Sequence, residues 1–353
     1  MTIFGLFTII SALISLHAES QRVILEGVDR YWVCDPAFEG VRVILSYRGE
    51  KYSSAYVCGI SGVAFRISGP CPCAPGYGQA MLFPEELGKI FGYECEHVWP
   101  KGEEFDPKER IQDTLARIKE EIRAGRPVLM WDAFSDHEWD VVCGFDDEKN
   151  EFYGRSSCIS SEEYARAKQT HPLETDKNVP LLGAVIIGEK IGKFDARFAE
   201  TSALKEAVMH AHGASGRCSG TYPHLASGLE CYDRWIAQHR YILPGHEGFV
   251  GADINSWMLS ILQSTRRAAS QFLLELAPKY PEVSTHLEMA SEHFARESEV
   301  LSSCLKLFTK RTQEELDEPD RKIRAAAYLR QARAMYALAI DEIAHAIPKI
   351  TKE

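Results

Sequence analysis

The chain has 353 residues, of which 45% are hydrophobic and 26% charged, and a net charge of −11. That is the profile of a globular chain long enough for two domains. No Lys/Arg-rich run supplies the basic footprint that phosphate neutralisation requires, which excludes nucleic acid as a partner.

The N-terminal stretch from Ile3 to Leu16 is apolar but only 14 residues long. A bilayer span needs roughly 20, so no membrane span is expected. The stretch reads either as an extension or as the apolar part of a secretory signal cleaved after Ala18. Met1 and Thr2 carry no positive charge, which favours the extension and a cytoplasmic chain. A secreted or periplasmic chain follows if the stretch is a signal.

Residues 22–26 predict a short strand. Phe38, Val41, Ile44 and Leu45 have helical spacing, and Gly49 ends that helix. Ser53 and Ser54 are candidate caps for a second helix. The Gly/Pro-rich stretch 69–78 predicts a loop. Ile111, Leu115, Ile118 and Ile122 share one face of a helix that Gly125 and Pro127 stop. The clearest β signal follows: strands over 127–134, 138–145 and 151–155 joined by polar turns, an antiparallel meander.

Beyond residue 198 strand signals vanish. Helical patterns cover 201–212, 224–240, 253–278, 282–308 and 321–347, and their short links predict a bundle without sheet. His210 and His212 read as surface residues, and Arg266 and Arg267 as part of a solvated helix face. The expected organisation is residues 1–21 as extension or signal, 22–198 as an α+β domain and 199–353 as an all-helical domain.

The ten cysteines are scattered. The Cys71-Pro72-Cys73 spacing is too tight for a usual structural zinc pair. No metal site and no cofactor are expected, and neither a phosphate loop nor a dinucleotide fingerprint is present.

Gly125-Arg126-Pro127-Val128-Leu129 and the run from Glu138 to Asp147, preceded by Phe38-Glu39-Gly40-Val41 and Ser61-Gly62-Val63-Ala64-Phe65, carry a resemblance. Residues 23–190 resemble the papain-like peptidase domain that processes bacteriocin leaders. They resemble more closely the N-terminal domain of the butirosin biosynthesis protein H family, whose members are acyltransferase relatives. The helical tail is similar to that of bacterial proteins carrying this domain.

The resemblance implies a papain-like core with a cysteine at the start of the first core helix. A histidine opening the second meander strand would be its base, and a carboxylate or amide after the third strand would orient that histidine. Cys34 stands two or three residues ahead of the nucleophile position, and Cys58 is the other candidate thiol. Counting six residues back from Gly144 places Glu138 at the base position, with His137 one residue off. Residues 153–156 hold no carboxylate. These departures point to a degenerate cleft in which Glu138, Trp139, Asp140 and Arg155 bind a peptide or small ligand, cationic or hydroxyl-rich. The alternative is a cysteine-dependent hydrolase or acyltransferase using Cys34 or Cys58 with His137. The Gly-rich stretch 245–251 is the candidate lid.

Overall fold

The computed structural model describes residues 22–32, 35–70, 83–98, 107–136, 138–157, 159, 161–174, 182–213, 225–240, 252–309 and 318–351. Cys34, His137, the loop beyond Pro70 and the stretch 245–251 lie outside the described residues.

The meander forms as its sequence predicts. Strands β4 (Val128–Trp131) and β5 (Trp139–Asp146) pair antiparallel with Leu129 opposite Val141, and β6 (Glu151–Arg155) pairs on β5. The first of these strands stops three residues early, because Asp132 adopts a left-handed φ of 57° that no strand continues. With β1 (Arg22–Ile24), β2 (Ser68–Pro70), β3 (Tyr93–Val98), β7 (Ala165–Lys168) and β8 (Ala184–Lys190) numbered in chain order, the main sheet is seven-stranded and antiparallel. It runs β3-β8-β4-β5-β6-β7, and β1 adds to β5.

Every residue of β4 is buried because the sheet is covered on both faces. On one face Val128, Met130, Val142 and Phe145 meet Ile111, Leu115, Ile118 and Ile122 of helix α4 (Pro107–Arg123), the stripe visible in the sequence. On the other face Leu129, Trp131, Trp139 and Val141 join the larger core with α1 (Pro36–Tyr47), α2 (Ser54–Ser61) and α3 (Pro84–Ile90). Asp35 caps α1, and Ser53 caps α2 by accepting from the Tyr56 N–H at 2.9 Å.

After the short α5 (His171–Glu174), the tail comprises α6 (Ala196–Ala211), α7 (Gly228–Arg240), α8 (Ala252–Leu276), α9 (Ser284–Leu305) and α10 (Pro319–Ile350). The larger core is continuous from Phe38 through Phe272 and Leu301 to Ile350. Helix α2 lies so close to α8 that a Cβ on Gly59 would stand 2.2 Å from the Phe272 ring.

Three expectations for the tail need correction. Strand β9 (Leu225–Ser227) pairs antiparallel with β2, so the tail contains a strand. His210 is buried and shares its Nε2 with the backbone of Ile67, and burial together with the neighbouring Arg66 pushes its pKa down to about 3. Arg266 is fully buried rather than solvated. Its Nε pairs with Glu297 at 2.7 Å, Nη1 donates to the Ala64 carbonyl at 2.7 Å and Nη2 to the Arg66 carbonyl at 3.1 Å. The guanidinium also lies 5.0 Å from the Tyr336 ring centre, whose hydroxyl donates to the Phe65 carbonyl at 3.0 Å.

Removing one member of a buried ion pair strands the other, at about 3–5 kcal/mol. Arg266→Met is therefore expected to lower the stability of the whole chain by about that much, read as a single cooperative shift in urea unfolding. Loss of the tail signal alone, with the sheet unfolding at its original midpoint, would contradict it.

Candidate functional site

The start of α1 and the β4–β5 turn come together through a close helix–sheet contact. A Cβ on Gly40 would stand 2.3 Å from Leu129 Cδ1 and 2.8 Å from the Tyr31 hydroxyl, so only glycine lets α1 sit this low on the sheet. The Tyr31 hydroxyl donates to the Trp139 carbonyl at 3.1 Å and ties the segment before α1 to the first residue of β5. Arg42 completes the tie. Its Nε pairs with buried Glu39 at 2.7 Å, Nη1 with Asp29 at 2.8 Å, and Nη2 donates to the Arg30 carbonyl at 2.6 Å.

Four carboxylates gather at this end of the sheet. Asp140 is buried, and its Oδ2 accepts from the Phe134 N–H at 2.7 Å, the Ser135 N–H at 3.0 Å and the Ser135 hydroxyl at 2.8 Å. These bonds close the turn. Burial outweighs them and pushes its carboxyl up to about 6. Asp132 accepts from the Glu138 N–H at 3.3 Å and donates its own N–H to the Glu138 carbonyl at 2.9 Å. Asp35 accepts from the Phe38 N–H at 3.5 Å as the cap of α1, and burial, reinforced by the charge of Glu39, pushes it up to about 7.

Glu138 is half-buried, and its carboxyl is pushed up to about 8, first by burial and then by the charges of Asp35, Asp140 and Asp132. Among the described residues no donor reaches its carboxylate. Arg155 is committed elsewhere. It donates to the carbonyls of Val28, Ser161, Glu162 and Glu163 and lies 4.3 Å from the Tyr164 ring centre. Trp139 is a core residue, set edge-on to Trp131.

Cys58 lies inside α2, fully buried, and its thiol is pushed well above its usual value by burial and by Glu39 and Asp35. Such surroundings oppose thiolate formation. Cys34 and His137 lie outside the described residues, next in sequence to Asp35 and Glu138. Sequence reasoning missed Asp35 and Asp132. The signal available was Asp35-Pro36, a cap followed by proline at the first helical position.

A carboxyl raised in the folded chain binds protons that the unfolded chain, near pH 4, has already lost. Stability must then fall as pH rises from about 4 to about 8. Glu138→Gln removes one of these raised carboxyls. We expect it to leave stability at about pH 5 nearly unchanged and to raise it at about pH 8.5 by roughly 1–3 kcal/mol, measured by urea unfolding at both pH values. An E138Q chain less stable than wild type at the higher pH would refute this account.

No family model matches the chain and no curated protein matches it, so what the site does rests on its own residues.

Proposed function

We propose that the chain is a ligand-binding protein of the degenerate papain-like kind, whose site at the start of α1 and β5 takes an amine-bearing small molecule or a basic peptide side chain. One observation carries the reading. Asp35 and Glu138, on elements far apart in sequence, lie within electrostatic reach of each other, with no cation beside either among the described residues. Carboxylates so placed hold their protons until a cation arrives. An ammonium group would supply the missing charge and donors in one step. The order of a helical half followed by an antiparallel meander supports the papain-like assignment. The polar cavity of about 410 Å³ between α8 and α9, lined by Gln263, Arg267, Ser298, Glu299 and Lys306 among others, has no residue of the sheet in its wall and competes poorly for this role.

The cysteine-dependent hydrolase is the second reading. It draws on Cys34 and His137 being the sequence neighbours of the two residues that approach each other. Alkylation by iodoacetamide against pH separates the two: one thiol reacting fast well below pH 7 favours the hydrolase.

Binding of a cation requires the carboxylates ionised, so affinity must rise with pH as the pair titrates. Calorimetry with spermidine and with a lysine-containing peptide, at about pH 6 and about pH 8.5, is expected to show binding that strengthens at least about tenfold at the higher pH. Glu138→Gln should cut that gain to what Asp35 alone contributes. Affinity independent of pH, or undiminished in the E138Q protein, would sink the proposal.

A further inference from the structure

Where the N-terminal turn of α9 crosses the C-terminal turns of α10, three side chains with metal-binding atoms converge. His286 comes from α9. Glu342 and His345 come from α10, three residues apart and so on one face of that helix. One ligand atom from each lies within 4.8 Å of the others. His286 Nδ1 is 2.7 Å from Glu342 Oε2, and the two imidazole rings are 5.8 Å apart between centres. His286 and Glu342 are partly buried, and His345 is exposed.

We propose that His286, Glu342 and His345 form a binding site for a divalent transition metal of the Zn²⁺, Ni²⁺ or Co²⁺ class. Two imidazoles and a carboxylate are the borderline donor set that such ions prefer over Mg²⁺ or Ca²⁺. Donor atoms each about 2.1 Å from one ion stand at most about 4.2 Å apart. Binding therefore needs only side-chain adjustment within the cluster, and His345, being exposed, turns without disturbing the core. Water fills the remaining coordination positions. Lys349, one turn beyond His345, holds its Nζ 3.4 Å from His286 Nε2. Its ammonium sets a positive charge beside the cluster, which opposes the binding of a second cation there. The bound ion would clip the start of α9 to the end of α10.

The site is tested on the full chain, stripped with chelator, by calorimetric titration with Ni²⁺ and by the visible spectrum with Co²⁺. The expected result is one equivalent bound without a thiolate charge-transfer band. His286→Ala and His345→Ala should each weaken it at least about tenfold. Lys349→Met should tighten it, an effect that a purely structural role for these residues would not produce. Far-UV circular dichroism of each variant checks that the helices remain. Absence of binding at roughly 1 mM metal, a thiolate band with undiminished binding in His345→Ala, or weaker binding in Lys349→Met would each overturn the proposal.

Discussion

The buried guanidinium of Arg266 is the joint on which the rest of the molecule depends. A guanidinium taken out of water needs its donors filled and its charge answered. Glu297 answers the charge, and the Ala64 and Arg66 carbonyls take the outer nitrogens. Those carbonyls belong to the turn that follows α2, which the tail therefore completes. Glu200 of α6 reinforces the joint by accepting from Tyr56 of α2, from Lys279 and from Tyr280, each at 2.6 Å. The helices after residue 198 are thus a wall of the same core that α1 and α2 enter. The position of α1 on the sheet, and with it the position of Asp35, is set from both ends of the chain.

Buried charge is handled in two opposite ways. Around Arg42 and around Arg266 each carboxylate faces an arginine fork, which gives geometry as well as neutralisation. At the β4–β5 turn carboxylates face one another. Burial raises the proton affinity of Asp35, Glu138 and Asp140, and the charges of neighbouring carboxylates add to it at Asp35 and Glu138. An arrangement of this kind lowers stability above neutral pH, so packing alone gives no reason for it.

The sheet's centre was legible because its signals are local. The runs of β4 and β5 are apolar and the turn between them polar, while the α4 stripe repeats at helical spacing over four isoleucine and leucine positions. Features that depend on distant partners were not legible. Arg266 in a helical pattern reads as a solvated residue until Glu297, 31 positions on, and carbonyls some 200 positions back are brought to it. His210 likewise finds its partner 143 positions away. Strand β9 is three residues long and carries no periodicity to detect. The break in the phase of β5 was not legible for a different reason. The pairing of β5 with β6 slips between Val142 and Gly144, and such a bulge inserts one residue and reverses the alternation of faces. Trp139, Val141 and Cys143 all enter the core beside α1, while Val142 and Phe145 turn toward α4. Glu138 stands just ahead of the strand, where the pleat no longer dictates direction.

What each carboxylate does locally separates structure from function at this site. Asp140 closes the turn with three accepted hydrogen bonds, and Asp132 orders the same turn by accepting from the Glu138 backbone. Asp35 caps α1. Each of these three would be kept for folding alone, since an aspartate in a turn or at a helix start satisfies donors that would otherwise be lost. Glu138 differs. Its backbone serves the turn, but its side chain accepts no hydrogen bond from any described residue and sits half-buried among three other acids. A glutamine or an alanine would serve the fold there at least as well. A side chain that the fold does not use, in a place where its charge is costly, is what the proposed ligand site rests on.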